Sequence, residues 1–365
     1  MDKNKKVRAI AFYLPQFYPT PENDEWWEPG FTEWTNVARA KPLFKGHYQP
    51  RIPRDLGFYD LRVPETREKQ AKLAREAGIE GFCYWHYWFG NGRRLLSEVF
   101  KEVVESGKPD FPFCLCWANH SWYQKTWDPT KPDKLLIEQT YPGIDDYTAH
   151  FMEMLPAFKD KRYMKTCDGK LFFGVFYCLG FDFHVFKDTW NRLAREHGLG
   201  GFYFFGLCQE GAYNSKIKEN GVDVVVYDAL QDSFRKNLNT KLKIHFRAFI
   251  EKYFKRPFPR SYSAYTDDAI ESFKKYPDTI PCIDPDFDHS PRSIARGVVM
   301  HGSTPILFAK LFKSVSSLIQ SRTGEKIVFI KAWNEWGEGN YMEPDYKWNK
   351  GYIEEFAKVI KEFNK

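Results

Sequence analysis

Two carboxylates, Glu335 and Glu338, lie in a short run near the carboxyl end of the chain. An apolar segment that includes Phe329 leads into them, and Gly337 and Gly339 surround the second acid. Paired acids suit glycosidic chemistry, in which one carboxyl protonates the leaving oxygen and the other acts as base or nucleophile. Residues three apart in a straight strand face opposite sides, so the glycines must permit a turn that brings both acids into one pocket. We expect the same pocket to be lined by Trp333, Asn334 and Trp336.

An acidic loop that is simply exposed to solvent is the alternative interpretation of this motif. Exposed acids do not usually lie between two tryptophans at the end of an apolar strand, and Glu335 lies between Trp333 and Trp336. We therefore favour the pocket. If either acid is the general acid, the neighbouring tryptophans and the other carboxylate should raise its pKa.

Two further apolar runs, 81–88 and 111–117, end in aromatic residues mixed with His and Asn. Aromatic faces stack on the C–H face of sugar rings, while His, Asn and Tyr side chains hydrogen-bond sugar hydroxyls. Hydrophobic packing at the strand ends explains the aromatic residues equally well, and the histidines could be structural. The candidate sugar contacts in these runs are Trp85, His86, Trp117 and Asn119.

Polar and aromatic residues also follow the first and the seventh apolar runs. Tyr13 lies in the first run, and Trp34 lies in the loop behind it. After the seventh run, Asp288 and Arg292 could pair with each other or bind ligand hydroxyls and carboxylates. Acids at positions 284, 286 and 288 suggest Ca²⁺, but the rest of an EF-hand loop is missing, so we predict no metal site.

Strand-length apolar runs alternate with segments of helical period along the whole chain. Several runs are almost continuously hydrophobic, which is typical of strands buried on both faces of a parallel sheet. The predicted strands are 7–17, 81–88, 111–117, 171–177, 201–208, 222–227, 280–287 and 327–333.

Amphipathic helices are predicted between and after these strands. The first follows Pro64 and ends at Gly78, which are typical start and stop signals. Eight strands, each followed by a helix, predict an α/β fold of the (β/α)8 TIM-barrel type. A doubly wound open sheet is the alternative, although its glycine-rich phosphate loop is missing. The predicted helices are 65–77, 94–105, 145–158, 183–197, 211–220, 242–254, 305–322 and 351–363.

The predicted loops after strands are much longer than those before strands. The longest span residues 18–64, 119–144 and 228–279, and the last contains a helix. Barrel active sites are built from the loops that follow strands, and long loops are kept where they have a function. No linker divides the chain, so we treat residues 1–365 as a single (β/α)8 catalytic domain with long, elaborated βα loops.

Composition and charge exclude several other classes of protein. The chain has 365 residues and a formal charge of +6, and no run approaches ~18 consecutive apolar residues, so we expect no membrane span. Basic residues look scattered among acids, so nucleic acid is not an expected partner. The start lacks a signal segment and most of the seven cysteines lie in apolar runs, which together indicate the cytoplasm.

No cofactor is predicted from the sequence. Walker A, GxGxxG and GxSxG signatures are missing. Cys114 and Cys116 have no second pair or His motif that would complete a zinc site. The Asp284-Pro285-Asp286 segment is only a weak formal match to the metal motif of enzymes that use nucleotide sugars.

Several of these segments together resemble the WbsX-type proteins, which are related to glycoside hydrolase family 99 and are often called family-99-like. The resemblance covers nearly the whole chain, and its most specific part is the Asn-Glu-Trp-Gly-Glu-Gly motif at 334–339. The segments that carry it are YLPQFY at 13–18, EW at 33–34, YWHYW at 84–88, WAN at 117–119, DHSPR at 288–292 and WNEWGEG at 333–339.

The resemblance implies a barrel enzyme that cleaves α-mannosidic bonds inside chains with retention, through attack by the sugar's own 2-hydroxyl and an anhydro-sugar intermediate. On that basis Glu335 is the base acting on the 2-hydroxyl, and Glu338 is the general acid that later activates water. Asn334 and Arg292 would position reacting groups. The remaining implied contacts are pocket hydroxyls from Tyr13 and Tyr177 and a stacking platform from Trp117.

The leading interpretation is therefore a metal-independent enzyme that acts on glycosidic bonds of an oligosaccharide or polysaccharide, as a hydrolase or transglycosidase of surface-polysaccharide metabolism. WbsX-type proteins are commonly called glycosyltransferases, so a glycosyltransferase of lipopolysaccharide or capsule assembly is the alternative. A barrel that only binds carbohydrate is the third interpretation. The tryptophans expected to form a sugar-stacking rim are Trp26, Trp27, Trp34, Trp85, Trp88, Trp117, Trp122, Trp127, Trp333 and Trp336.

Overall fold

The computed structural model describes residues 6–125, 132–237, 241–322 and 324–365. Within them, eight parallel strands close into a barrel in chain order, and the first strand pairs with both the second and the eighth. The (β/α)8 prediction is confirmed, and closure rules out the open, doubly wound sheet. The strands are β1 (Arg8–Tyr13), β2 (Gly81–His86), β3 (Phe113–Trp117), β4 (Leu171–Val175), β5 (Phe202–Cys208), β6 (Val224–Asp228), β7 (Ile280–Ile283) and β8 (Ile327–Ile330).

Helices flank this barrel between and after the strands. Most lie within a few residues of their predicted bounds, but the predicted helix 211–220 divides into a 3₁₀ turn, Gly211–Tyr213, and a short α-helix. The flanking helices are α1 (Pro64–Ala77), α2 (Glu98–Ser106), α3 (Ile144–Lys159), α4 (Phe183–Glu196), α5 (Asn214–Glu219), α6 (Tyr262–Lys275), α7 (Pro305–Gln320) and α8 (Gly351–Phe363).

The helix predicted over 242–254, after β6, is present, but a second helix that the sequence did not predict follows it and packs on the barrel. The first is observed as Lys241–Tyr253, and its described side chains are mostly exposed. The segment that packs on the barrel is α6, which buries Tyr262, Tyr265 and Phe273. The buried face of α6 contains two tyrosines rather than aliphatic residues, so a search for aliphatic periodicity does not identify it.

Large aromatic side chains fill the inside of the barrel. The ring of Phe12 stacks on Trp85 at a centroid distance of 4.8 Å and on Phe329 at 5.1 Å. Every residue of β3, β4 and β6 is buried, as expected for strands covered on both faces. The barrel is therefore a packed core, and a binding site has to lie at one of its ends.

The loops that follow strands carry extra elements at the carboxyl end of the barrel. The loop after β1 contains two helices, and the loop after β6 contains two helices before α6. The loops after β3 and β8 each form a small antiparallel hairpin. These extra elements are Pro21–Trp26, Glu33–Arg39, Trp122–Gln124, Lys134–Ile137, Leu230–Asn237, Lys241–Tyr253, Asn334–Glu335 and Asn340–Tyr341.

Candidate active site

The two acids of the sequence motif lie in a tight turn just beyond β8. Asn334–Glu335 pairs with Asn340–Tyr341, and the 3₁₀ turn Trp336–Glu338 connects the two short strands. The turn closes at Gly339, whose φ of +58° is left-handed and favours glycine. Nδ2 of Asn340 donates a 2.8 Å hydrogen bond to Asp284 after β7, which fixes the hairpin to its neighbour. The expected glycine-dependent turn is therefore present.

One arginine holds both acids of this turn and a third acid. Arg292 lies in a short helix, Ser290–Ser293, in the loop after β7. Its guanidinium contacts Glu335 at 2.8 Å, Glu338 at 2.8 Å and Glu33 at 2.9 Å. Glu33 comes from the loop after β1, where the side-chain amide of Gln16 also donates to it at 3.0 Å. Three loops thus contribute to one charged cluster, which we call the carboxylate cluster.

Gly337 lies against the carboxylate cluster and has no room for a side chain. A Cβ atom at this position would overlap the carboxylate of Glu33 and lie 2.9 Å from a guanidinium nitrogen of Arg292. Glycine at this position therefore allows groups from the β1 and β7 loops to pack directly on the turn.

The two acids of the turn have opposite pKa shifts. Burial raises the pKa of Glu335 to about 8, against the opposing effect of Arg292. Burial also acts on Glu338, but Arg292, Lys331 and His289 together hold the pKa of that carboxyl below its usual value. Interacting acids titrate as a pair, so near neutral pH they share one proton that lies mainly on Glu335. One protonated and one ionised carboxyl are what acid–base catalysis at a glycosidic bond requires.

Lys331 provides a second cation beside the carboxylate cluster. It follows β8, and its ammonium lies 3.2 Å from the carboxylate of Asp228 at the end of β6. The nearby acids, beginning with Asp228, raise the pKa of Lys331 despite its burial, so it is charged at neutral pH. Together with Arg292, it makes the carboxyl end of the barrel favourable for an ionised Glu338.

The carboxylate cluster opens into a cleft of about 710 Å³, a volume in the range of small-molecule sites. Aromatic side chains form much of its wall, and several polar groups point towards the same space. Among the predicted site residues it contains Glu335, Glu338, Arg292 and Trp85. Its other aromatic and polar lining residues include Gln16, Trp26, Trp27, Phe31, Glu33, Tyr87, His120, Trp122, Tyr123, Phe176, Gln209, His289 and Lys331.

Three predicted sugar contacts lie beneath the turn instead of in the cleft. The hydroxyl of Tyr13 donates to Gln70 at 2.8 Å, and the indole of Trp336 donates to Glu343 at 2.6 Å. Trp333 is fully buried. Because these groups are enclosed by protein, the prediction that they touch sugar does not fit their positions.

Trp34 and Asn334 connect the β1 loop with the turn. The indole of Trp34 donates to the backbone oxygen of Tyr59 at 2.7 Å. The amide of Asn334 accepts from the backbone N–H of Leu14 at 2.8 Å and donates to the oxygen of the same residue at 3.0 Å. Both side chains are thus positioning groups, and neither lines the cleft.

His86 and Trp117 are also interior residues. His86 lies 2.7 Å from His150, nitrogen to nitrogen, and burial lowers the pKa of His86 to about 3. The indole of Trp117 donates to the backbone oxygen of Trp88 at 2.8 Å. Both residues are therefore packed in the interior, as the alternative interpretation of structural packing expects, and they do not reach the cleft.

Asn119, Tyr177 and Asp288 lie outside the cleft lining as well. Asn119 is buried and bonds the backbone of Tyr177, whose own side chain is 52% exposed. The predicted pairing of Asp288 with Arg292 is wrong, because the Asp288 carboxylate bonds His47 and Gln49, each at 2.7 Å. Its backbone N–H donates to the carbonyl oxygen of Glu338 at 2.6 Å, so Asp288 supports the turn from behind.

The tryptophan rim is only partly realised. Trp26, Trp27, Trp85 and Trp122 line the cleft. The other rim candidates within the described residues are absent from the cleft lining, and Trp127 lies outside the described residues.

Sequence reasoning missed the parts of the carboxylate cluster that are distant in the chain. Glu33 adjoins Trp34, and the sequence prediction of a sugar contact in this segment names only the tryptophan. Lys331 precedes Glu335 by four positions, and His289 adjoins Asp288. A carboxylate next to an aromatic residue in a long βα loop is the signal that identifies Glu33.

Neither a metal centre nor a membrane span is found among the described residues. In residues 6–125, 132–237, 241–322 and 324–365, no group of three or more His, Cys, Asp or Glu side chains could hold a metal ion. Over the same ranges, every helix is too short or too polar to cross a bilayer.

Comparison with known proteins gives a family and a fold. The family described as Glycosyltransferase WbsX matches residues 9–356. Two relatives from Xanthomonas campestris pv. campestris, both called "Uncharacterized protein WxcX", are 33% identical over 354 and 363 residues, with coverage of 93% of this chain. The matches cover 48% of each relative, so the chain spans about half the length of these curated relatives.

Solved structures share the barrel at low sequence identity. A protein described as "Glycoside hydrolase-like protein" has a TM-score of 0.59 and 16% identity, with coverage of 100% of this chain and 96% of the other. The GH99 endo-alpha-mannosidase from Bacteroides thetaiotaomicron has a TM-score of 0.52 and 14% identity, with coverage of 100% and 98%. These likenesses show the fold alone. The match over residues 9–356 places the chain in a family: it belongs to the WbsX glycosyltransferase family.

Proposed function

We propose that the chain is a carbohydrate-active enzyme that acts on glycosidic bonds of surface polysaccharides, with Glu335 and Glu338 as its acid–base pair. The observation that carries the proposal is the carboxylate cluster in the aromatic cleft, where one arginine holds two acids with opposite pKa shifts. The WbsX family and the barrel shared with glycoside hydrolases support it. The proposal treats residues 1–365 as one catalytic domain.

The roles of the two acids follow the family resemblance. Glu335 takes the proton of the sugar's 2-hydroxyl while that oxygen attacks the anomeric carbon, and Glu338 gives its proton to the leaving oxygen. Water then opens the anhydro-sugar: Glu338 takes a proton from the water, and Glu335 returns its proton to the 2-oxygen. Both carboxyls end as they began, and the anomeric configuration is retained.

The resting position of the shared proton is the reverse of these roles. Without substrate it lies mainly on Glu335, because burial raises the pKa of that acid while the charges of Arg292 and Lys331 lower that of Glu338. A sugar hydroxyl that donates to Glu335 favours the ionised form of that carboxyl. We propose that substrate binding moves the proton to Glu338. Arg292 contacts both acids, so it pairs with the ionised carboxylate before and after this transfer.

Hydrolysis and glycosyl transfer differ in whether water or a sugar hydroxyl opens the intermediate. We propose a hydrolase or transglycosidase as the first candidate, because the acid–base pair is sufficient for both reactions. The description of the family favours the second candidate, a glycosyltransferase. Binding of nucleotide sugars compared with cleavage of an oligosaccharide panel separates the two. Tight binding of the nucleotide moiety without oligosaccharide cleavage would support the transferase.

Variants of the two acids test the assigned roles. Glu335→Gln and Glu338→Gln should each lower kcat/KM on a natural glycoside by roughly 10²–10⁴-fold. A glycosyl fluoride or nitrophenyl glycoside needs no protonation of its leaving group, so it should restore bond cleavage in Glu338→Gln and not in Glu335→Gln. Glu354→Gln, in the exposed face of α8, is the matched control and should behave as the parent. Rescue of Glu335→Gln instead would reverse the roles, and unchanged turnover in both variants would remove the proposal.

A further inference from the structure

A surface segment that combines basic and aromatic residues lies in the loop after β6, away from any role in the proposed chemistry. It consists of the described side chains of helix Lys241–Tyr253, from residue 243 onward, and the stretch that follows to residue 258. We call it the basic–aromatic segment. Four of its aromatic side chains are roughly half exposed or more, namely Phe246 (51%), Phe249 (48%), Tyr253 (64%) and Phe254 (58%).

The exposed rings form one apolar patch. Phe246, Phe249 and Tyr253 are spaced by three and four residues, so they share a face of the helix. The ring centroid of Phe249 lies 4.9 Å from that of Tyr253 and 5.9 Å from that of Phe254. Ile250 on the same face is 6% exposed and attaches the helix to the protein. A contiguous exposed apolar patch of this kind usually marks an interaction site.

The stretch from residue 241 to residue 256, which includes most of the basic–aromatic segment, also carries most of the net charge of the chain. Residues 241–256 contain six Lys and Arg and a single acid, Glu251, whereas the other 349 residues contain 48 basic and 47 acidic residues. The impression from sequence that basic residues are scattered is therefore wrong for this stretch. Nζ of Lys252 lies 5.2 Å from the ring centroid of Tyr253, and Cζ of Arg256 lies 5.5 Å from that of Phe254. The cations thus border the apolar patch.

We propose that the basic–aromatic segment docks on the surface of an anionic lipid bilayer. Helices that lie in a membrane interface place aromatic and aliphatic side chains at the boundary of headgroups and acyl chains and keep Lys and Arg at the level of the phosphates. The charge of the segment complements such a surface. A single-stranded nucleic acid would need separated rings as stacking platforms, whereas the ring of Phe249 packs against those of Tyr253 and Phe254.

The position of the segment in the fold links docking to the cleft. The loop after β6 lies at the same end of the barrel as the loops after β1, β7 and β8, which supply the carboxylate cluster. A groove beside the segment is shared with Phe44 and Lys45 of the β1 loop. Docking would therefore bring the cleft end of the barrel to the bilayer. This consequence rests on the proposed function, and it favours glycans that are attached to lipid or displayed at a membrane.

Sedimentation of the full chain with lipid vesicles tests the proposal directly. The chain should bind vesicles of phosphatidylcholine mixed with phosphatidylglycerol, it should bind pure phosphatidylcholine much less, and binding should weaken as salt is added. Phe249→Ser with Tyr253→Ser removes half of the exposed rings, and Lys252→Glu with Lys255→Glu reverses two exposed charges. Each double variant should lower the partition coefficient by about tenfold or more.

Matched control variants change exposed residues elsewhere on the barrel. Met152→Ser on α3 and Lys361→Glu on α8 change an exposed apolar and an exposed basic residue, and both should bind vesicles as the parent does. The proposal would be overturned if the chain bound neutral vesicles equally well or if both double variants retained full binding. It would also be overturned by tighter binding to an RNA or DNA oligonucleotide, or by self-association in place of vesicle binding. No substrate is present in this assay, so its failure leaves the proposed chemistry standing, and inactive Glu335→Gln should still dock.

Discussion

The indole Nε1 of Trp336 donates a 2.6 Å hydrogen bond to the carboxylate of Glu343. Glu343 is 2% exposed and also accepts hydrogen bonds from Tyr59 at 2.9 Å and Gln70 at 2.6 Å. Trp336 lies between the two proposed catalytic acids in one turn, so Glu343 anchors that turn from the protein interior. Burial raises the pKa of Glu343 to about 7, although the hydrogen bonds oppose the increase.

The contribution of Glu343 to stability should therefore decrease as pH rises towards neutrality. Between the ordinary pKa of 4.5 and the folded-state value of about 7, the folded chain holds a proton on Glu343 that the unfolded chain has lost. The part of the free energy of unfolding that Glu343 contributes must fall with pH in that window. Glu343→Gln cannot titrate, so in urea unfolding the parent should lose up to about 3 kcal/mol relative to Glu343→Gln across the window. Glu354→Gln should leave the parent's slope unchanged, and an equal slope in Glu343→Gln would contradict the assignment.

The proposed acid–base pair predicts a bell-shaped pH profile of kcat/KM. Activity requires one proton on the pair, so it should fall above about 8 as Glu335 loses that proton. It should also fall at acid pH, below the usual carboxyl range, as Glu338 becomes protonated. Because the two acids titrate together, the profile reports the pair, whichever of them carries the proton in the reactive form. If kcat/KM did not fall at alkaline pH, ionisation of the pair would not control the rate.

Removal of Arg292 should shift the alkaline limb upward. The guanidinium lowers the pKa of both acids, so Arg292→Met should raise both limbs of the pH profile. Three carboxylates would also lose their shared cation, and kcat/KM should fall by roughly 10²–10³-fold. Arg192→Met, at an exposed helical ion pair of α4, is the control for loss of an arginine. A downward shift of the alkaline limb would contradict the proposed electrostatics.

Glu33→Gln should shift the alkaline limb in the opposite direction. The charge of Glu33 raises the pKa of Glu335, and it competes with both other acids for Arg292. Its removal should lower the pKa of Glu335, so activity should begin to fall at a lower pH than in the parent. The decisive measurement compares Glu33→Gln with Arg292→Met in one buffer series. A purely structural disturbance would not move the alkaline limb down in one variant and up in the other.

Gly337→Ala should separate activity from stability. The added methyl group would overlap the Glu33 carboxylate and crowd Arg292, while the rest of the barrel is untouched. We expect kcat/KM to fall by about tenfold or more, with a loss in the free energy of unfolding of roughly 1–3 kcal/mol at most. Activity assays and urea titrations on the same samples measure both. Full activity in Gly337→Ala would show that Glu33 and Arg292 need not pack on the turn.

Periodicity identified the barrel because its strands are buried on both faces and read as continuous apolar runs. Each of the eight runs, from that of β1 to that of β8, overlaps an observed strand. The pattern missed α6, where Tyr262 and Tyr265 supply the buried face, and it located the helix 241–253 without indicating that most of its aromatic residues are exposed. Large aromatic residues have the same signature in a core and on an apolar surface patch.

The site could be predicted only as far as the local motif reached. Glu335 and Glu338 are identifiable because they lie only three positions apart in one motif. Glu33 is 259 positions from Arg292, and only closure of the barrel brings the two together. The tryptophans show a related limit: Trp336 points into the interior while Trp85 lines the cleft, because the direction of a side chain at a strand end depends on turn geometry that composition does not encode.

The pairing of β1 with β8 has a consequence for biosynthesis. Register contacts such as Ala9 with Val328 join the two ends of the barrel, and both proposed catalytic acids follow β8. A ribosome must therefore release the chain through β8 and the turn that follows it before the carboxylate cluster can form. Nascent or prematurely terminated products would contain Glu33 and Arg292 without the acids they hold, so they should neither bind nor process glycans while synthesis is under way.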